Sequence, residues 1–132
     1  NAEMDAQHEL DMEAQFGSSL ITNFPEMTSP FWNMSRNADG ATAKKMDVIL
    51  GGMETIGSAE RSCDVDMMRD TFHSITDGEY SALLYKLFGK ERVEAELEEF
   101  LKFDFFQRVG GGIGMTRMIA ALDKQQALAQ AA

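Results

Sequence analysis

Two groups of residues in this chain have types and spacings suited to chemistry. The first is Gly110-Gly111-Gly112-Ile113-Gly114, with Arg117 three residues on. Four glycines in five residues lose much conformational entropy on folding. They suit a place where backbone must approach a ligand or another element closely. An Arg one turn into a following helix can face a phosphate or a purine ring. The run is neither G-x-G-x-x-G nor a P-loop: Met115 stands where the third Gly would be, and no Gly-Lys-Ser/Thr follows. Tight strand packing without a ligand explains it equally well. The second group is Asp47, Glu54 and Arg61. Two carboxylates that leave open positions for water and substrate phosphates are a usual way to hold Mg²⁺, and an adjacent Arg can take a substrate carboxylate through two parallel hydrogen bonds. On spacing alone, ordinary strand-edge charges with one structural ion pair are the simpler and favoured reading.

Other reactive types fit simpler roles. No His lies at an informative spacing from Cys63, which reads as a small helix residue, and His73 reads as a helix-surface or packing residue. The Asp-rich segments around Asp39 and Asp66 lack the Gly and Glu of a calcium loop. The ten Met read as core filler.

These residues must be positioned by secondary structure. Residues 2–16 combine helix-favouring composition with an even-position apolar pattern; composition predicts a helix, stopped at Gly17. Strands are predicted at Ser19 to Phe24, closed by Pro25, at Phe31 to Met34, at Lys45 to Leu50 and at Met53 to Ile56, the last ended by Gly57. The turn chemistry of residues 36–40 predicts a hairpin between the second and third. Arg61 then follows a turn at Gly57-Ser58-Ala59-Glu60. Helices are predicted at 63–75 and 78–88, with Thr76-Asp77 as a cap between them, and at 90–103, where Val93, Leu97, Phe100 and Leu101 form one apolar face. A strand through the glycines and a helix over Met115 to Leu122 follow. The order predicts an α+β fold, an antiparallel sheet flanked by helices. Residues 1–124 read as one domain and 125–132 as a fraying tail.

The chain has 132 residues, enough for one hydrophobic core. Twelve Lys and Arg against 22 Asp and Glu give a net charge of −10, which disfavours a generic nucleic-acid surface. No run approaches the ~20 apolar residues of a membrane span. A single cysteine, with no signal-peptide pattern, is expected of a cytoplasmic protein.

Taken in order, several segments resemble the C-terminal half of the class II aminoacyl-tRNA synthetase catalytic core, in its aspartyl/asparaginyl group. Gln7-His8-Glu9-Leu10, Ile21-Thr22-Asn23-Phe24-Pro25 and Pro30-Phe31-Trp32 are similar to that group's helix, strand and "PFY" segments. Lys45-Met46-Asp47-Val48-Ile49-Leu50 is similar to its "FDLL" strand, and residues 54–61 resemble "E-x-x-x-G-S-x-R" with the Glu-to-Arg spacing kept. GGGIGMTR, residues 110–117, resembles the motif 3 pattern "G-x-G-x-G-x-x-R".

The resemblance implies ATP and Mg²⁺ as cofactors, with Asp47 and Glu54 as metal ligands. It implies Arg61 for the amino-acid side chain, and Arg117 with Gly112 and Gly114 for ATP. Arg61 and Arg117 are the expected catalytic residues, acting by positioning and charge neutralisation. The implied reaction joins aspartate or asparagine to the α-phosphate of ATP. If one nucleotide spans this set, the strands of Asp47 and Glu54 must be adjacent and antiparallel, with both arginines opening onto one cleft.

The chain also departs from the pattern. Motifs 1 and 2 are not found in it and are expected to lie before Asn1. On that reading, this stretch alone makes little or no adenylate and self-associates through an open sheet edge. The usual acidic residue before the motif 3 Arg is Thr116, and Phe105 to Gly110 replaces the Pro-His-x-Gly lead. The glycine run also resembles asparagine synthetase A and its relatives, which join aspartate to ammonia without tRNA. Three readings therefore stand: a tRNA synthetase, an aspartate–ammonia ligase, and a non-catalytic nucleotide-binding paralogue. Charge gives tRNA no support, and the carboxylate-matched Arg61 leads us to expect aspartate to be preferred over asparagine.

Overall fold

The strand that carries Glu54 and Arg61 organises the molecule. In a computed structural model, which describes residues 5–131, four strands form one antiparallel sheet in the order β1 (Ser19–Pro25), β2 (Thr42–Leu50), β3 (Met53–Arg61), β4 (Arg108–Ile113). β2 and β3 are joined at Gly51 and Gly52, whose φ values of 62° and 82° are those a two-residue hairpin turn requires. The predicted α+β class holds, as does the antiparallel adjacency of the Asp47 and Glu54 strands.

The described residues form five α-helices: α1 (Ala6–Phe16) and α5 (Met115–Ala131), which pack on the sheet, and α2 (Val65–Ser74), α3 (Glu79–Phe88) and α4 (Lys90–Leu101), which pack on one another. α1 begins at Asp5, whose side chain accepts from the Gln7 and His8 N–H groups, and ends at Gly17 as predicted. Asp64 caps α2 through the Met67 N–H, and Cys63 sits exposed just ahead of it rather than within a helix. Thr76 accepts from the Tyr80 N–H at the start of α3, and its neighbour Asp77 makes no such bond. The apolar stripe of α4 buries Val93, Leu97 and Leu101. They join Trp32, Met68 and Phe72 in the main core, where Trp32 meets Phe72 and Phe100 edge to face at 5.4 and 5.6 Å.

Several predicted elements differ. Phe31 to Met34 is a turn, and its hairpin reduces to two single bridges, Met34 with Arg61 and Arg36 with Ala43. The Met34 N–H turns back onto the Phe31 carbonyl at 3.0 Å, and the Arg36 guanidinium holds the turn by donating to the carbonyls of Pro30 (3.1 Å) and Met34 (2.7 Å). The same fork grips Glu26 at 2.6 and 2.9 Å, tying the connection between β1 and β2 into a fixed shape. Gly57 does not end β3. Its φ is not left-handed, and the strand runs four residues further, so no turn precedes Arg61. α5 does not stop at Leu122 but continues to Ala131. Ala, Gln and Leu favour helix there, and Lys124 reaches the Gly51 carbonyl at 3.3 Å. Among the described methionines Met68 is buried, Met27, Met46 and Met115 are exposed, and the rest are half-buried, Met67 against the main core, so core filler describes only part of the set. No helix among the described residues is long and apolar enough to cross a membrane.

Candidate functional site

Antiparallel pairing places Ile21, Asp47, Gly57 and Gly112 in one row across the four strands. Two of these four have no side chain, so the row makes a flat floor beside a buried carboxylate. A Cβ on Gly112 would meet nothing within 4 Å, so the floor is open there. Strand alternation alone would turn Glu54 away from Gly57. A bulge prevents this. The register steps from Val48–Ile56 to Ile49–Glu54, leaving Thr55 as an extra, buried residue. The extra residue returns Glu54 to the face of Asp47, a common use of bulges at sites.

Asp47 and Glu54 converge over Gly57. A Cβ at Gly57 would lie 2.9 Å from Glu54 Oε1 and 3.4 Å from Asp47 Oδ1. Asp47 is 3% exposed, and its Oδ1 is buried without a hydrogen-bond partner. Its Oδ2 is paired with Lys45 Nζ, which lies 3.7 Å from the centre of the Phe24 ring. A buried carboxylate oxygen without a donor is unfavourable unless a cation or donor completes it. The Glu54 main chain is fixed from both sides: its N–H donates to Glu9 Oε2 at 3.0 Å, and its carbonyl accepts from Arg117 Nη1 at 2.7 Å. The Gly114 N–H donates to the Thr55 carbonyl at 2.8 Å, pinning the start of α5 to β3.

Arg61 lies seven residues beyond Glu54, roughly 20 Å at strand rise. Its guanidinium packs over Gly110, where a Cβ would stand 2.8 Å from Nε. It donates to the Gly110 carbonyl at 3.0 Å and to Asn33 Oδ1 at 3.1 Å. Two of its five N–H donors are thereby used and the others remain for a ligand. Gly111 is different: its Cβ would stand 2.7 Å from both the Gly57 carbonyl and Ser58 Cβ. Of the four glycines, then, Gly111 serves strand packing, Gly110 seats an Arg and Gly112 leaves a surface open.

A cavity of about 410 Å³ adjoins the carboxylates, lined by Glu9, Phe24, Lys45, Asp47 and Glu54 among others. Arg61, Gly112, Gly114 and Arg117 do not line it. The site is thus strung along β3, with Arg117 at the Glu54 end, the carboxylates over Gly57, and Arg61 at the far end. Arg117 nonetheless bonds the carbonyl of Glu54, which does line the cavity. No group of three or more His, Cys, Asp or Glu residues that could hold a metal occurs among the described residues. Two carboxylates, one with an unpartnered oxygen, do fit a cation that keeps phosphate and water ligands. Lys45, Glu9, Asn33 and Gly57 were not expected here. Lys45 was legible, since a residue two before Asp47 shares its strand face; nothing in the sequence marks Asn33.

Comparison with known proteins agrees with this architecture. The family model for class II tRNA synthetases (D, K and N) matches residues 2–132. The asparagine--tRNA ligase of Treponema denticola is 34% identical over 70 residues, which cover 51% of this chain and 15% of that protein. The crystal structure of asparaginyl-tRNA synthetase from Pyrococcus horikoshii superposes with a TM-score of 0.69 at 17% identity, covering 92% of this chain and 27% of that one. Its complex with asparaginyl-adenylate gives 0.67. The aspartyl-tRNA synthetase of Entamoeba histolytica gives 0.64 at 18% identity, covering 90% of this chain and 23% of that one. The chain thus spans about a quarter or less of the relatives it matches. With the antiparallel sheet, the glycine floor and the family match in agreement, the chain belongs to the class II tRNA synthetases of the D, K and N group.

Proposed function

We propose that this chain supplies the nucleotide-metal and amino-acid side-chain contacts of an enzyme that activates asparagine or aspartate as its adenylate. The observation that carries this reading is the pair Asp47 Oδ1 and Glu54 Oε1 converging over Gly57, one of them buried without a partner. Asp47 and Glu54 would hold Mg²⁺, which when bound neutralises the phosphates of ATP. Arg117, fixed at the Glu54 carbonyl, would pack on the nucleotide, and Gly112, whose surface is open, would take a flat base. Arg61 offers its remaining donors to the amino-acid side chain. The substrate carboxylate attacks the α-phosphorus of ATP and pyrophosphate leaves. These residues contribute position and preorganised charge rather than covalent chemistry.

Support comes from the family, whose relatives include an asparagine--tRNA ligase and an asparaginyl-adenylate complex. A guanidinium matches a carboxylate side chain better than an amide, which favours aspartate at Arg61. The test uses the protein in its full natural length with ATP, Mg²⁺ and either amino acid, followed by isotope exchange between pyrophosphate and ATP. Exchange stimulated by asparagine or aspartate supports the reading, and its absence with both refutes it. Adding tRNA or ammonia then separates a tRNA ligase from an aspartate–ammonia ligase by whether charged tRNA or free asparagine appears.

A further inference from the structure

Among the described residues, Lys45 is the one cation lining the cavity beside the carboxylates, against Glu9, Asp47 and Glu54. Its register partner is Ala59, which in turn pairs with Gly110, the residue over which the Arg61 guanidinium packs. The ammonium lies against the Phe24 ring and pairs with Asp47 Oδ2, and the side chain is 24% exposed. The two oxygens of Asp47 are therefore unlike: Oδ2 is already compensated by a fixed positive charge, while Oδ1, on the Gly57 side together with Glu54 Oε1, has no partner.

We infer that Lys45 is a built-in counter-charge that makes metal binding at Asp47 and Glu54 conditional on the nucleotide. This rests on the metal reading of those two carboxylates given above. A free divalent cation entering between Asp47 Oδ1 and Glu54 Oε1 meets a carboxylate already neutralised on its other oxygen, with an ammonium nearby in a half-buried setting. Like charges at that range repel strongly where water is partly excluded. A cation arriving with ATP brings phosphate charge that offsets both positive centres, so the same lysine favours the pair. Metal and nucleotide then bind with positive coupling, and each strengthens the other by the same factor. Lys45 is a positioning residue in this scheme, since it acts through Asp47.

The test is a Mn²⁺ titration followed by electron paramagnetic resonance, with and without ATP, on the full-length protein. The variants are Lys45→Met, which keeps the stem and removes the charge, and Lys45→Arg, which keeps the charge. Lys45→Met is expected to bind free Mn²⁺ on the order of tenfold more tightly, the scale of about 1.4 kcal/mol. Its gain in Mn²⁺ affinity on adding ATP should shrink, and Lys45→Arg should track the wild type. Mn²⁺ without ATP should also raise the melting temperature of Lys45→Met more than that of the wild type, a readout that survives if the variant is less stable. Unchanged or weaker free-metal binding in Lys45→Met, while Mn²⁺–ATP binding still depends on Glu54, overturns this inference alone. If Glu54→Gln leaves Mn²⁺–ATP binding of the wild type unaffected, the underlying metal reading fails and this inference with it.

Discussion

Gly57→Ala separates a functional glycine from a structural one. The backbone at Gly57 is not left-handed, so Ala fits it without strain. The new methyl would stand 2.9 Å from Glu54 Oε1, closer than real Cβ contacts come, and 3.4 Å from Asp47 Oδ1. The obstructed atom is the tip of a flexible side chain, so Glu54 can rotate away while β3 keeps its ladder. Less conformational freedom in the unfolded chain then offsets the small rearrangement, an effect of about 0.4–1 kcal/mol in favour of the fold. The displaced carboxylate no longer shares a point with Asp47, and faults of this kind in the support of a metal site typically weaken binding about 10–100-fold. The assay pairs thermal melting with Mn²⁺–ATP titration on the full-length protein. We expect an unchanged or higher melting temperature and binding weakened by one to two orders of magnitude. A melting temperature that collapses, or nucleotide–metal binding that is unaffected, refutes the reasoning.

Gly111→Ala should do the reverse. Its methyl meets backbone and Ser58 Cβ at 2.7 Å, neither of which can swing aside, so denaturant titration should show a loss of roughly 1–3 kcal/mol. Phe72→Ala removes a 4% exposed ring between Trp32 and Tyr80, and should destabilise the helical layer by about 3–5 kcal/mol in the same assay. The contact of His73 with Glu94, itself bonded to Tyr85, gives a pH dependence. Burial opposes the charged ring of His73, but Glu94 and the Arg69 carbonyl outweigh it and raise its pKa above 6.5. That contribution is fully present below 6.5 and fades as pH rises through the folded value. The Tyr85 hydrogen bond, with His73 beside it, lowers the Glu94 pKa below 4.5, so its contribution is present above 4.5 and fades as pH falls through the folded value. Melting temperatures of wild type and His73→Gln should therefore differ most between these limits and converge above neutrality; a difference constant from pH 5.5 to 8.5 contradicts this.

Local signals made most of the elements legible. The Gly17 stop, the 90–103 helix and its apolar stripe are short-range and survive in the structure. What failed depended on distant partners. Phe31 to Met34 has strand composition, but the Met34 N–H closes a turn onto the Phe31 carbonyl and the Arg36 guanidinium takes the Met34 carbonyl. Gly57 looked like a stop because its use, making room for two carboxylates from different strands, exists only once β2 and β3 pair. The convergence of Asp47 and Glu54 was legible as a hairpin possibility; the Thr55 bulge that achieves it was not, since a bulge follows from pairing register rather than from residue type. Arg61 and Arg117 stood out by spacing from Glu54 and the glycines, yet the separation of Arg61 from the carboxylates follows from β3 running on to Arg61, beyond the Ile56 at which the predicted strand ends.

The central claim is that Asp47 and Glu54 hold the cation of a nucleotide lying along β3. A crystal structure of the full-length protein with ATP and Mg²⁺ tests it most directly. The account predicts Mg²⁺ at about 2.0–2.1 Å from an oxygen of each carboxylate, with the base over Gly112 and against Arg117. ATP seated elsewhere, or bound there with its cation touching neither Asp47 nor Glu54, would contradict it.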